Sequence, residues 1–155
     1  MSVIGLVMVG VLAVVVGGAT LAWLRRYLVI VTVDGASMRP ALEPGDRLIA
    51  RRVPRARLAV GQIVVVEWSP VRMGDRYGGP GAPAPTRWLV KRIAALPGDP
   101  VPVELPWTGR VAPGQLVVLG DNRPASGDSR QLGYLPVGQV RGVVVRRMGR
   151  ASMPS

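Results

Sequence analysis

Three short segments hold the side chains that could do chemistry: "GASMRPAL" at 35–42, "VKRIAALPGD" at 90–99 and "GDNRPASGDSRQLGYLP" at 120–136. The first offers the hydroxyl of Ser37, with Gly35 and Ala36 leaving room beside it for an approaching chain. The second offers the amine of Lys91. The third is dense in small polar groups: Asp121, Asn122, Ser126, Asp128, Ser129 and Arg130. The chain contains no histidine and no cysteine. Those two absences remove the Ser-His-Asp and Cys-His catalytic sets and nearly every zinc site. Acid–base work near neutral pH then falls to a carboxylate, a lysine or a tyrosine with a displaced pKa.

Each segment also has a plain structural reading. A lone serine in a Gly-Pro turn commonly hydrogen-bonds its own backbone. A lone strand lysine commonly sits at a sheet edge with its ammonium in water. The strand alternation of "RWLVKRIAAL" allows another arrangement, in which Lys91 shares a face with Leu89, Ile93 and Ala95. On such an apolar face the amine is desolvated, and desolvation lowers its pKa. Lys91 is also the only lysine among 20 basic residues. Arginine stays protonated, whereas a buried lysine can lose its proton and act as a base. In the third segment an Asp128–Arg130 pair within a turn network is the modest reading. The spacing and closing glutamate of an EF-hand are missing there, and no G-x-x-x-x-G-K phosphate loop occurs anywhere.

The elements that must position these groups follow from patterning. Residues Val3 to Leu24 carry no charge, long enough as a helix to cross a hydrocarbon core of about 30 Å. Trp23 and Tyr27 fall where an interfacial aromatic belt belongs, beside Arg25 and Arg26. No positive segment precedes the apolar run, which argues against a cleaved secretory signal. The expectation is a membrane anchor over 1–26, a catalytic domain over 27–148 and a short tail over 149–155. Beyond the anchor, "YLVIVTV", "DRLIARRV", "GQIVVVEW", "RWLVKRIAAL", "DPVPVEL", "GQLVVLGD" and "GQVRGVVVRRM" read as short strands between Gly- and Pro-rich gaps. The fold class expected is mainly β, a domain of short strands behind one transmembrane helix. "MGDRYGGPGAPAP" at 73–85 reads as a loop or hairpin tip.

The formal charge of +11 is compatible with an acidic partner such as nucleic acid or an anionic lipid surface. The chain is equally rich in Gly, Ala, Val and Pro, a composition that GC-rich coding produces along with arginine. With three Tyr, four Trp and no Phe, it has little stacking material for single strands, and no nucleic-acid partner is expected.

Taken in order, the three segments resemble the type I signal peptidases, membrane-bound serine proteases that remove leader peptides. The family's S-M-x-P-T-L box is matched by "SMRPAL" at 37–42, and its K-R-x-x-x-x-P-G-D box by "KRIAALPGD" at 91–99. Its G-D-N-x-x-x-S-x-D-S-R-x-x-G-x-x-P box runs from Gly120 through Pro136. The resemblance implies a signal-peptidase-like β domain with Ser37 as nucleophile and Lys91 as general base. It further implies Ser126 as the hydroxyl orienting the lysine, and Asp121, Asp128 and Arg130 as a supporting network. The backbone N–H of Ser37 would hold the oxyanion. Gly35, Ala36, Met38 and Pro40 are the candidates for lining the substrate pocket.

No metal and no cofactor is expected; the partners implied are the signal or leader peptides of exported proteins and the lipid bilayer. The location implied is the bacterial cytoplasmic membrane, with the domain outside, although Arg25 and Arg26 by themselves favour the cytoplasm. Ala41 stands in place of the usual Thr and Gln62 in place of a usual Asp. With only 28 residues between Lys91 and Gly120, large insertions do not fit, and a minimal catalytic core is expected. The alternatives are a maturation protease of the same fold dedicated to one partner protein, or a tethered basic β domain that binds nucleic acid or anionic lipid.

Overall fold

The N-terminal apolar run forms helix α1, Val3–Tyr27, and the next residue already belongs to a strand. The computed structural model describes residues 3–68 and 87–150. Segment Val7–Tyr27 has the length and composition to cross a membrane, and none of it is buried against the rest of the chain. A helix that is apolar all round and uncovered by its own protein requires another apolar medium. The helix is therefore a candidate membrane span.

Seven strands follow: β1 (Leu28–Thr32), β2 (Asp46–Arg51), β3 (Ile63–Trp68), β4 (Arg87–Ala95), β5 (Gln115–Leu119), β6 (Leu135–Pro136) and β7 (Val140–Arg150). They form one sheet in the order β1-β2-β7-β3-β4-β5-β6, with every pair antiparallel. A four-residue helix α2, Ser129–Leu132, sits between β5 and β6. The mainly β class expected from the Val- and Ile-rich runs is the observed one.

The central strand β3 is covered on both faces. Val64, Val65 and Val66 are all fully buried, with Val65 in one apolar cluster and Val64 and Val66 in another. An unbroken β-branched run, rather than an alternating one, is what a doubly covered strand requires. The first cluster gathers Val29, Val31, Met38, Leu48 and Val90, so it underpins the β1–β2 connection that carries Ser37. The second gathers Ile93, Leu116, Val118 and Leu135 under β4 and β5. A third, built on Ala95, Leu105, Val111 and Val117, closes the far end.

Two local expectations are corrected. "DPVPVEL" at 99–105 is a series of turns with a single bridge, Pro100 to Arg110, instead of a strand. Pro100 and Pro102 have no N–H to give to a ladder, and their fixed φ outweighs the apolar alternation. Ala95 does not share the company of Lys91, because the β4–β5 register shifts between Ile93 and Ala95. That irregularity moves Ala95 into the third cluster while Ile93 stays in the second. The loop expected at 73–85 lies outside the described residues.

The first cluster must hold the β1–β2 connection in place. Leu48, fully buried in β2, is its most direct test. Leu48→Ala is expected to cost about 2–5 kcal/mol, read as a lower unfolding midpoint of the full chain in detergent.

Candidate active site

Ser37 lies in the connection between β1 and β2, at the start of a tight turn. The turn is entered through Gly35, whose φ of 86° is comfortable only for glycine. It is closed by the Arg39 N–H donating to the Ala36 carbonyl at 3.2 Å and the Leu42 N–H to the Met38 carbonyl at 2.9 Å. Met38 is fully buried in the first cluster. Its anchoring leaves Ser37 half-buried at the surface.

Lys91 is in the middle of β4, opposite Val64 of β3. Only 3% of it is exposed. Burial pushes its amine below the ordinary lysine pKa; Asp128 opposes that shift, and the Arg130 charge adds to it. The reading in which the amine sits at a sheet edge in water is thereby excluded.

Ser37 and Lys91 line the same cleft, of about 280 Å³. Its walls include Gly35 and Ala36 from the serine turn, Trp88 and Leu89 from β4, and Ala125 and Gly127 from the third segment. Met38 and Pro40 are not among its lining residues: the first is core and the second is exposed on the far part of the turn.

The third segment supports the cleft from below. Asp128 is fully buried. It accepts hydrogen bonds from Ser126 Oγ at 2.6 Å, the Gly120 N–H at 2.7 Å and Arg130 Nη2 at 2.6 Å and Nε at 3.0 Å. It also caps α2 by accepting from the Arg130 N–H, while Gln131 returns the bond as a capping box. Burial would raise its pKa, but the bonds from Arg130, Ser126 and the backbone hold the carboxyl below its usual range. Because Ser126 spends its O–H on Asp128, its lone pairs stay free to accept from an amine. Asp121 is instead bound by Arg92, through Nε at 2.9 Å and Nη2 at 2.6 Å, while Arg92 Nη1 donates to the Gly61 carbonyl at 2.8 Å. Asp121 thus braces β4 from the opposite side to Lys91. Among the described residues, no group of three or more carboxylates is placed to hold a metal ion.

Gly120 is the point where the segments touch. A Cβ built there would lie 2.1 Å from Ser126 Oγ and 2.7 Å from the Ser37 carbonyl oxygen. No side chain larger than hydrogen fits between the serine turn and Ser126. Sequence reasoning placed Gly120 at the head of a box without seeing this contact, which joins residues far apart in the chain.

Comparison with known proteins gives the same assignment. The family described as "Signal peptidase, peptidase S26" matches residues 3–106 and 103–148. The chain belongs to the signal peptidase family. It is 32% identical to "Probable signal peptidase I-1" of Synechocystis sp. (strain ATCC 27184 / PCC 6803 / Kazusa), over 85% of this chain and 78% of that one. It is 27% identical to "Signal peptidase I" of Bacillus caldolyticus, over 72% of this chain and 74% of the relative. Membership in this peptidase family fits a cleft that pairs a hydroxyl with a buried amine.

Two outcomes follow. Gly120→Ala must push apart the Ser37 backbone and Ser126, so peptidase turnover should fall about 100-fold, measured with a leader peptide on chain shown to be folded. Asp128, with its pKa depressed in the folded state, contributes stability above the unfolded value of about 3.9. That contribution is lost as pH falls through the lower folded value. Acid unfolding of wild type should therefore steepen below about pH 4, and Asp128→Asn should flatten that limb while lowering stability at pH 7.

Proposed function

We propose that this signal peptidase family member is a membrane-anchored serine endopeptidase that removes N-terminal signal or leader peptides from exported proteins. Ser37 is its nucleophile and Lys91 its general base. The observation that carries the reading is the burial of the chain's only lysine in the cleft that Ser37 lines. α1 supplies the anchor within residues 1–26, and residues 27–148 form the catalytic domain, whose strand β7 continues through Gly149 and Arg150 beside β2. The catalytic domain stands on the extracytoplasmic face of a bacterial cytoplasmic membrane, where a leader's cleavage site emerges beside the bilayer.

Neutral Lys91 accepts the proton of Ser37 Oγ as that oxygen forms a bond to the scissile carbonyl carbon. The carbonyl π electrons move onto oxygen, and the negative charge is met by the Ser37 N–H, which has no acceptor among the described residues. Collapse breaks the C–N bond, and the Lys91 ammonium gives its proton to the departing amine. Water then gives a proton to Lys91 and attacks the acyl-enzyme. The C–O bond to Ser37 breaks, and the proton returns to Oγ. Ser126 accepts an N–H of Lys91 and fixes the direction of its lone pair. Asp128 and Arg130 hold Ser126, and Asp121 holds β4 through Arg92. The cleft wall formed by Gly35 and Ala36 is proposed to receive small side chains next to the scissile bond.

The base works only when deprotonated. The logarithm of kcat/KM should rise with pH on an acid limb of slope one and level off below 10.5, the ordinary lysine value. Ser37→Ala and Lys91→Arg should each abolish cleavage of a peptide with small residues at the cleavage site, assayed with the full chain in detergent. Lys91→Arg places a permanent cation in the cleft and tests the base role with the charge kept. Activity retained in either variant refutes the mechanism.

A further inference from the structure

One residue of the third segment reaches further into the serine turn than any role so far requires. Asn122 Nδ2 donates to the Ala36 carbonyl at 2.9 Å, and the Asn122 backbone N–H donates to the Ser37 carbonyl at 2.9 Å. A single residue therefore grips two successive peptide planes, on either side of the Ser37 Cα. The Ala36 carbonyl also accepts from the Arg39 N–H at 3.2 Å, so it has two donors, while the Ser37 N–H has no acceptor among the described residues.

The Ala36 carbonyl and the Ser37 N–H belong to one peptide unit. That bond is trans; the cis bond in this turn is Arg39–Pro40. In a planar trans peptide the C=O and N–H point in opposite directions, so fixing the direction of one fixes the other. Donation to the carbonyl also polarises the amide and makes its N–H a better donor. We propose that Asn122 is a positioning residue for the oxyanion, aiming and strengthening the Ser37 N–H through its side-chain bond to the Ala36 carbonyl. The inference rests on the proposed role of Ser37.

The residue type fits the task. An aspartate at 122 would set a carboxylate oxygen against the Ala36 oxygen, acceptor against acceptor. An alanine would leave the carbonyl with Arg39 alone. Neither change removes the backbone bond from residue 122 to Ser37, so the substitutions address the side-chain bond separately. Preorganised donors matter because they stabilise charge that develops only in the transition state.

The test compares Asn122→Asp and Asn122→Ala with wild type and Ser37→Ala, each as the full chain in detergent. For both Asn122 variants kcat should fall about 10- to 100-fold while KM stays near wild type. Affinity for a peptide boronate, whose tetrahedral adduct on Ser37 places an oxygen at the oxyanion position, should fall in step with kcat. Affinity for the cleaved product peptide should not change.

Wild-type kcat in either variant overturns the proposal. So does a loss of activity that follows the loss of folded chain, or one confined to KM, since each marks a staple without an oxyanion role. If wild type does not cleave, or Ser37→Ala does, the proposed function fails before the Asn122 variants are compared, and this inference falls with it.

Discussion

The proposed mechanism depends on keeping the Lys91 amine neutral near a buried carboxylate. Asp128 lies near enough to Lys91 to raise its pKa, and an unpaired anion there would return the proton that burial removes. The Asp128 charge is consumed elsewhere, by the two guanidinium bonds from Arg130, the Ser126 hydroxyl and two backbone N–H groups. Arg130 adds a positive field of its own at Lys91. The pair acts at Lys91 nearly as a neutral dipole, and desolvation decides the outcome. The acid–arginine pair is therefore a support that leaves the amine's titration to burial.

Burial of that kind needs a wall on every side, and the sheet provides it. β3 is covered on both faces, and Lys91 is paired with its fully buried Val64. The serine turn closes a second side and is itself pinned by Met38 in the core. The third segment closes another, and its contact with the turn is short enough that Gly120 has no space for a side chain. Displacing one of these walls would alter the cleft that Ser37 and Lys91 share. Tight interiors transmit such shifts, because they have little free volume to absorb them.

Much of this was legible from residue types. The uncharged N-terminal run, the Val-rich strands and the three polar segments each map onto an observed element, and Leu89, expected beside Lys91, lines the same cleft. What stayed hidden depends on register or on contacts between distant segments. The irregularity after Ile93 removes Ala95 from the lysine's surroundings, and strand alternation contains no sign of it. Met38 looked like a pocket residue because it follows Ser37, yet a one-residue step in a tight turn sends it into the core. Pro100 and Pro102 did announce themselves, and their missing N–H groups should have outweighed the apolar pattern at 99–105. Asn122 was visible as a polar residue, but its two bonds to Ala36 and Ser37 exist only once the chain has folded.

The distribution of positive charge carries the same logic to the whole chain. All five ion pairs among the described residues join arginine to a carboxylate: Arg39 to Glu43, Arg92 to Asp121, Arg130 to Asp128, Arg141 to Glu67 and Arg147 to Asp46. Arginine suits these positions, since its charge is permanent and its planar fork binds a carboxylate through two nitrogens. Those same properties would disqualify it at 91 under the proposed mechanism, in which the group is deprotonated and turns a single lone pair toward a hydroxyl. Under the proposed mechanism, position 91 is where a fixed charge would block proton transfer, and it holds the chain's only lysine. Five arginines are paired with carboxylates, and the one cation able to titrate near neutral pH under the proposed mechanism lines the cleft with Ser37.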